Sequence, residues 1–161
     1  PTDYIFEEIP YDRKCVSMIG KFISLSFVRS GKYISNAGVD NLRSVILASL
    51  PAKGDAENVE TYRKQIFATF RGVTGICGIA DSISFLSRRK AKHYLGHQGG
   101  ILKVLPDDTV ENKDAACWII SIRDGCKVIQ NAKHRGLYIM DDFQNLGAIR
   151  VVQDTNFDHS N

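Results

Sequence analysis

The sequence has no apolar run of membrane-spanning length and no signal-peptide pattern, so it offers neither an inserted helix nor a recognisable leader. It has no Cys-x-x-Cys pair, which removes the commonest zinc signature. Its four histidines, His93, His97, His134 and His159, stand at no consistent metal-ligand spacing. Gly-x-Ser-x-Gly, a phosphate-cradling glycine motif and His-Glu-x-x-His are missing too, leaving hydrolase, nucleotide and metalloprotease readings without support. Charge of one sign is scarce: 21 Lys and Arg against 18 Asp and Glu leave +3, too little to imply a nucleic-acid partner. Only Arg88-Arg89-Lys90-Ala91-Lys92 clusters, and so short a run reads as a solvated turn or, failing that, a phosphate or glycosaminoglycan contact. Asp107-Asp108 with Glu111 and Lys113 superficially resembles a nuclease set, but it sits in a Pro-led charged stretch read as a loop. No catalysis, cofactor or membrane insertion is expected.

What is present is a globular composition, 43% hydrophobic and 24% charged over 161 residues, enough for one core without staples. A chain that opens on Pro1 rather than Met is expected to be a processed product or an excised domain. Four cysteines, Cys15, Cys77, Cys117 and Cys126, allow two disulfides in any of three pairings, or four buried thiols. Cys15, Cys77 and Cys126 are expected at equivalent places, while Cys117 and Cys126 are candidates to face each other across one hairpin.

Periodicity sets the class. Ile23-Ser24-Leu25-Ser26-Phe27, Ser82-Ile83-Ser84-Phe85-Leu86 and Lys127-Val128-Ile129-Gln130 alternate apolar and polar residues, the signature of half-buried strands. Each is followed by a turn, a short strand centred on Tyr33, Tyr94 or Tyr138, a second turn and a third apolar run. An aromatic-led strand precedes each block, anchored on Phe6, Phe70 and Trp118. These echoes predict three degenerate repeats of four strands, at about 3–65, 66–113 and 114–158, forming one domain over 1–161. The first repeat is long, which assigns an insertion with a helical turn to residues 50–64. Three such units cannot bury their own faces singly and must share a core, so the expected fold is an all-β β-trefoil with pseudo-threefold symmetry, the alternative being an ordinary β-sandwich. The three tyrosines, and Trp118, Phe70 and Phe6, are expected to serve that core.

Ser82-Ile83-Ser84-Phe85-Leu86-Ser87, His93-Tyr94-Leu95-Gly96-His97 and Lys113-Asp114-Ala115-Ala116-Cys117-Trp118 together resemble the arabinose-binding β-trefoil domain of α-L-arabinofuranosidase B. The resemblance covers nearly the whole chain and is densest in the middle unit. It implies shallow sugar pockets, each built from a His and an Asp, with a carboxylate and an imidazole meeting sugar hydroxyls beside an aromatic ring. Carried over, the middle unit offers His97, Asp114 and Tyr94, although Asp114 precedes its aromatic by one residue more than the family spacing. The first unit has Asn36 and Phe67 instead, and a phenyl ring cannot accept a hydroxyl's hydrogen bond. The third has Asp141, with Asp3 as its acidic partner by chain closure. Asp114 is alternatively a turn-capping residue. The resemblance implies a non-catalytic, lectin-like carbohydrate-binding module, secreted or extracellular, partnered by a glycan or glycoprotein. The alternative is a protein-interaction module whose sugar pockets have decayed, partnered by a protein receptor.

Overall fold

The computed structural model describes residues 4–6, 18–27, 30–36, 44–49, 66–123, 126–141 and 149–153. Among these, twelve strands form one curled, antiparallel half-barrel sheet with almost no helix. The first four are β1 (Tyr4–Phe6), β2 (Phe22–Phe27), β3 (Tyr33–Ser35) and β4 (Ile46–Ala48). The next are β5 (Thr69–Thr74), β6 (Ile83–Ser87), β7 (His93–Gln98) and β8 (Ile101–Pro106). The last are β9 (Trp118–Arg123), β10 (Cys126–Asn131), β11 (Leu137–Asp141) and β12 (Ile149–Gln153). Within each set every strand pairs with its successor. Between sets, β2 pairs β5, β6 pairs β9, β12 pairs β8, and β1 lies against β10. Because β6 meets both β7 and β9, the strand path from β6 to β9 returns on itself.

The all-β expectation is met, and the alternating runs do form strands β2, β6 and β10. Their apolar residues Ile23, Leu25, Phe27, Ile83, Phe85, Val128 and Ile129 enter one core with Phe70, Leu95 and Trp118. The polar members of the alternation are not all solvated. Ser26, Ser84 and Ser87 are buried, Ser84 through Oγ donating to the Ala116 carbonyl (2.7 Å) and accepting from Ile76 N–H (3.1 Å). Ser87 Oγ likewise accepts from the N–H groups of Arg89 (3.1 Å) and Lys90 (3.2 Å), so backbone groups satisfy both hydroxyls without water.

The register corrects one anchor. Tyr33, Tyr94 and Tyr138 stand opposite Ser26, Leu86 and Gln130. One residue further along those second strands, Phe27, Ser87 and Asn131 stand opposite Tyr4, Phe70 and Trp118. Tyr4, not Phe6, therefore shares the place of Phe70 and Trp118, two residues away on the same face. The tyrosines also differ in burial: Tyr138 is in the core, whereas Tyr33 and Tyr94 are only half-buried.

Helix is not confined to residues 50–64, which lie outside the described residues. The acidic stretch read as a loop holds helix α1 (Val110–Ala115). Thr109, in extended conformation, caps it by accepting from Asn112 N–H at 3.1 Å, and Glu111 lies in its first turn. Among the described residues no helix is long and apolar enough to cross a membrane.

The cysteine expectation is likewise corrected. Cys77, in the β5–β6 connection, is disulfide-bonded to Cys117, immediately before β9, with Cα atoms 6.1 Å apart. Cys126 stands opposite Arg123 at the turn end of the β9–β10 hairpin, while Cys117 precedes its other end, where Trp118 faces Asn131. The two thus lie a strand length apart. Cys15 lies outside the described residues.

Two outcomes follow from this architecture. The bridge closes a 40-residue separation, so Cys77→Ser with Cys117→Ser should lower unfolding stability by about 4 kcal/mol on the chain-entropy model, read by urea denaturation. Denatured, unreduced protein should correspondingly titrate at most two thiols. Secondly, Gly31, Lys92 and Gly136 each precede the strand tyrosine by two residues and all adopt left-handed backbone, φ +69°, +59° and +94°. Lys92 is the strained member, because its Cβ crowds a carbonyl that glycine avoids. Lys92→Gly should leave stability unchanged or raise it by up to about 1 kcal/mol, while Gly31→Lys or Gly136→Lys should lower it by about 1–2 kcal/mol.

Candidate functional site

Two strands, one short helix and one turn converge at the C-terminal end of β7. Gly96 makes the convergence possible: a Cβ there would lie 3.0 Å from the Ala115 carbonyl oxygen and 2.9 Å from a Leu105 methyl. With hydrogen in that place, the last turn of α1 closes onto β7. Trp118, fully buried, anchors the same corner by donating its indole N–H to the Leu95 carbonyl at 2.8 Å.

Asn131, also fully buried, ties the third side. Its Nδ2 donates to the carbonyls of Asp114 (3.4 Å) and Ala115 (3.2 Å), groups left open at the helix end. Its Oδ1 accepts from the N–H groups of Lys133 (3.0 Å) and His134 (2.8 Å), which fixes the turn into β11. One amide therefore holds both the backbone that carries Asp114 and the backbone that carries His134. The sequence pattern does not reveal this, because the bonds run through main-chain atoms far apart in the chain.

Against this frame stands His97, half-buried on β7. Its ring packs edge-on to His134 (centroids 5.3 Å apart, planes at 83°) and to Trp118 (6.3 Å, 65°). Its Nε2 is buried and has no hydrogen-bond partner among the described residues. Burial pushes the imidazole below the ordinary histidine value, and the neighbouring His134 pushes it further the same way. No third His, Cys, Asp or Glu joins the pair in a metal-holding group among the described residues.

The structure brings His97 and Asp114 to one corner, each one residue from the Gly96–Ala115 approach. Asp114 is half-buried, its carboxylate makes no hydrogen bond among the described residues, and it lies in the last turn of α1. The cap of that helix is Thr109, so Asp114 is not its capping residue. Tyr94 is not part of this corner. Three residues before His97 on the same strand, it emerges on the opposite face and lines a different concavity with Arg71 and Leu86. Asp141 ends β11 opposite Ile149, its side chain outside what is described, as is all of Asp3.

The corresponding place in the first set is filled. Asn36 is buried and donates Nδ2 to Ser87 Oγ (2.9 Å), and its N–H donates to the Phe67 carbonyl (2.7 Å). Arg89 donates to the Asn36 carbonyl (2.8 Å) while its guanidinium lies 4.3 Å above the Phe67 ring centroid.

The chain matches no protein-family model and no curated protein. Solved structures do resemble it. One is a GH54 α-L-arabinofuranosidase soaked with 4-nitrophenyl α-L-arabinofuranoside (TM-score 0.64, 17% identity), which covers 86% of this chain and 28% of its own. Another is an arabinofuranosidase complexed with arabinofuranosyl-α-1,2-xylobiose (0.65, 18%), covering 84% and 27%. A third is a GlcNAcα1-4Gal releasing endo-β-galactosidase from Clostridium perfringens (0.57, 12%), covering 98% and 30%. At these identities the likeness is one of fold, and the chain spans under a third of each neighbour's length.

The lowered His97 midpoint has a thermodynamic consequence. An unfolded histidine binds its proton at higher pH than folded His97 does, so protons favour the unfolded chain. The contribution is intact above the ordinary histidine midpoint and is lost as pH falls from there to the lowered folded value. Proton NMR titration should show the His97 ring titrating below the ordinary range. Unfolding stability should decline across that window in wild type and decline less in His97→Gln.

Proposed function

We propose that the chain is a non-catalytic, lectin-like sugar-binding module with a β-trefoil fold, its neutral-sugar site at His97 and Asp114. The trefoil is supported by the recurrence of partners: the second strand of each set meets the first strand of another, β2 with β5, β6 with β9 and β10 with β1. The site reading rests on one observation above the rest. Two side chains with polar atoms that lack hydrogen-bond partners among the described residues, His97 at Nε2 and Asp114 at its carboxylate, stand at one corner where a buried asparagine ties the backbone of Asp114 to that of His134, whose ring packs on His97.

A carboxylate in the last turn of a helix opposes the macrodipole, so Asp114 contributes nothing to α1 that would account for its presence. A sugar supplies what it lacks: adjacent hydroxyls that donate to a carboxylate, and a further hydroxyl for the imidazole. Arabinose-containing oligosaccharides are the first ligands to try, since the neighbouring arabinofuranosidase structures hold such compounds. The disulfide fits a secreted or extracellular setting, where such bonds persist.

A glycan array, followed by titration calorimetry on any hit, tests the proposal. His97→Ala should abolish binding. Asp114→Ala should weaken it by one to two orders of magnitude, for loss of charge-assisted bonds of about 1.5–3 kcal/mol each, while leaving the thermal midpoint unchanged. Phe67→Ala should leave sugar binding as it was. A blank array favours the protein-interaction reading. An Asp114→Ala variant that melts several degrees lower yet binds every sugar as before would remove Asp114 from the site.

A further inference from the structure

The basic run at 88–92 and the misplaced Tyr94 meet on a face that the His97 site does not use. Phe22 stands opposite Arg71 across β2 and β5, Arg71 opposite Leu86 across β5 and β6, and Leu86 opposite Tyr94 across β6 and β7. Residues directly opposite share one side of a sheet, so these four form a continuous row over four strands. Their strand neighbours Ile23, Phe70, Phe85 and Leu95 are buried in the core, which puts the row on the outer surface.

Over the row lies an open cavity of about 550 Å³, lined by Ile19, Arg71, Leu86 and Tyr94 among others. At the end of the row Phe22 is 52% exposed, and Arg88, two residues past Leu86, lays its guanidinium 4.3 Å above the Phe22 ring. That stacking holds one planar cation in place with its N–H groups available at the edge. Arg71 supplies a second cation, directly across the ladder from Phe22. Among the described residues neither guanidinium has an ion-pair partner. One stacked fork and a second arginine in the same row, with no carboxylate paired to either among the described residues, suit an anion from outside.

The apolar half of the row narrows the ligand. Leu86 and Tyr94 are half-buried and offer a flat surface with one hydroxyl, suited to the C–H face of a sugar ring. A peptide strand has no edge to join here, because β2, β5, β6 and β7 are each already paired with two or more strands.

We propose that this outer row is a second binding site, separate from the His97 corner, that takes an acidic sugar. Its carboxylate or sulfate would lie between Arg71 and Arg88, and its ring on Leu86 and Tyr94.

The test is titration calorimetry on the intact chain with two acidic probes, a galacturonate trisaccharide and a heparin-derived tetrasaccharide, at two salt concentrations. At least one should bind saturably and weaken as salt rises, and which one binds separates carboxylate from sulfate recognition. Arg71→Gln and Arg88→Gln should each weaken it by about tenfold or more, whereas Lys113→Gln, an equal loss of charge on α1, should not. Binding of a neutral arabino-oligosaccharide, if the His97 corner provides it, should be indifferent to both arginine changes. The proposal is overturned if neither acidic probe binds, or if acidic binding survives both arginine variants or falls equally with Lys113→Gln.

Discussion

The junction of β6, β7 and β9 depends on where residues 116–118 are pinned. The Ala116 carbonyl accepts from Ser84 Oγ, Cys117 is bonded to Cys77, and Trp118 stands opposite Ile83 while its indole reaches the Leu95 carbonyl. These contacts tie the entry of β9 to β6, β7 and the β5–β6 connection at once. The β6–β9 junction is also what returns the strand path on itself, so the bridge and the indole bond secure the closure of the sheet. Closure in turn leaves fewer open strand edges.

The same pin sets the geometry of the His97 corner. With Trp118 fixed, the residues just before it must leave β9 as the tail of α1, and that tail can approach β7 only because Gly96 has no Cβ. Asn131, opposite Trp118 on β10, is then within reach of the open carbonyls of the helix. A polar side chain with no exposure whose four hydrogen bonds among the described residues all run to backbone is a positioning group. Its removal would leave two carbonyls and two N–H groups short of a partner in a buried place. In the proposed site Asp114 is thus held through its backbone carbonyl and His97 stands against a turn that the same asparagine fixes, a division between groups that hold a site and groups that serve it.

Strands were legible in the sequence because period-two alternation records a one-sided burial that the sheet does impose, as at Ile23, Leu25 and Phe27. The tyrosine anchors were legible for the same reason, and the register keeps all three in step. The helix at 110–115 was not: six residues carry too little apolar periodicity to announce themselves, and the Thr109 cap was hidden among acidic neighbours. The Cys77–Cys117 pairing was illegible because it follows from the β6–β9 junction, a contact between sets of strands and not within a hairpin. Tyr94 was grouped with His97 by proximity in sequence, yet an odd separation on a strand sends two side chains to opposite faces. His134 and Asn131 carried no signal at all, since what matters in them is where their backbone and amide groups fall.

The contrast between the two corresponding corners shows how one scaffold yields a filled site and an open one. Ser87 and Asn131 do the same work, each accepting from the N–H groups two and three residues ahead and so shaping the turn that follows. In the first corner the residue two ahead is Arg89, long and planar enough to fold back over Phe67 and donate to the Asn36 carbonyl. A cation stacked on a ring and hydrogen-bonded to a carbonyl satisfies itself, so nothing from outside is required there. In the second corner that residue is Lys133, which stays exposed, the ring position is taken by the small Ala115, and the buried amide is replaced by the imidazole of His97. The space that Arg89 and Phe67 fill with matched groups is left at His97 with a histidine pair and a nitrogen that has no partner among the described residues. An unmet buried polar atom costs stability in the free protein, and such a cost is recovered only when a partner arrives. On the proposed reading, what the first corner supplies from within is what the second takes from a ligand.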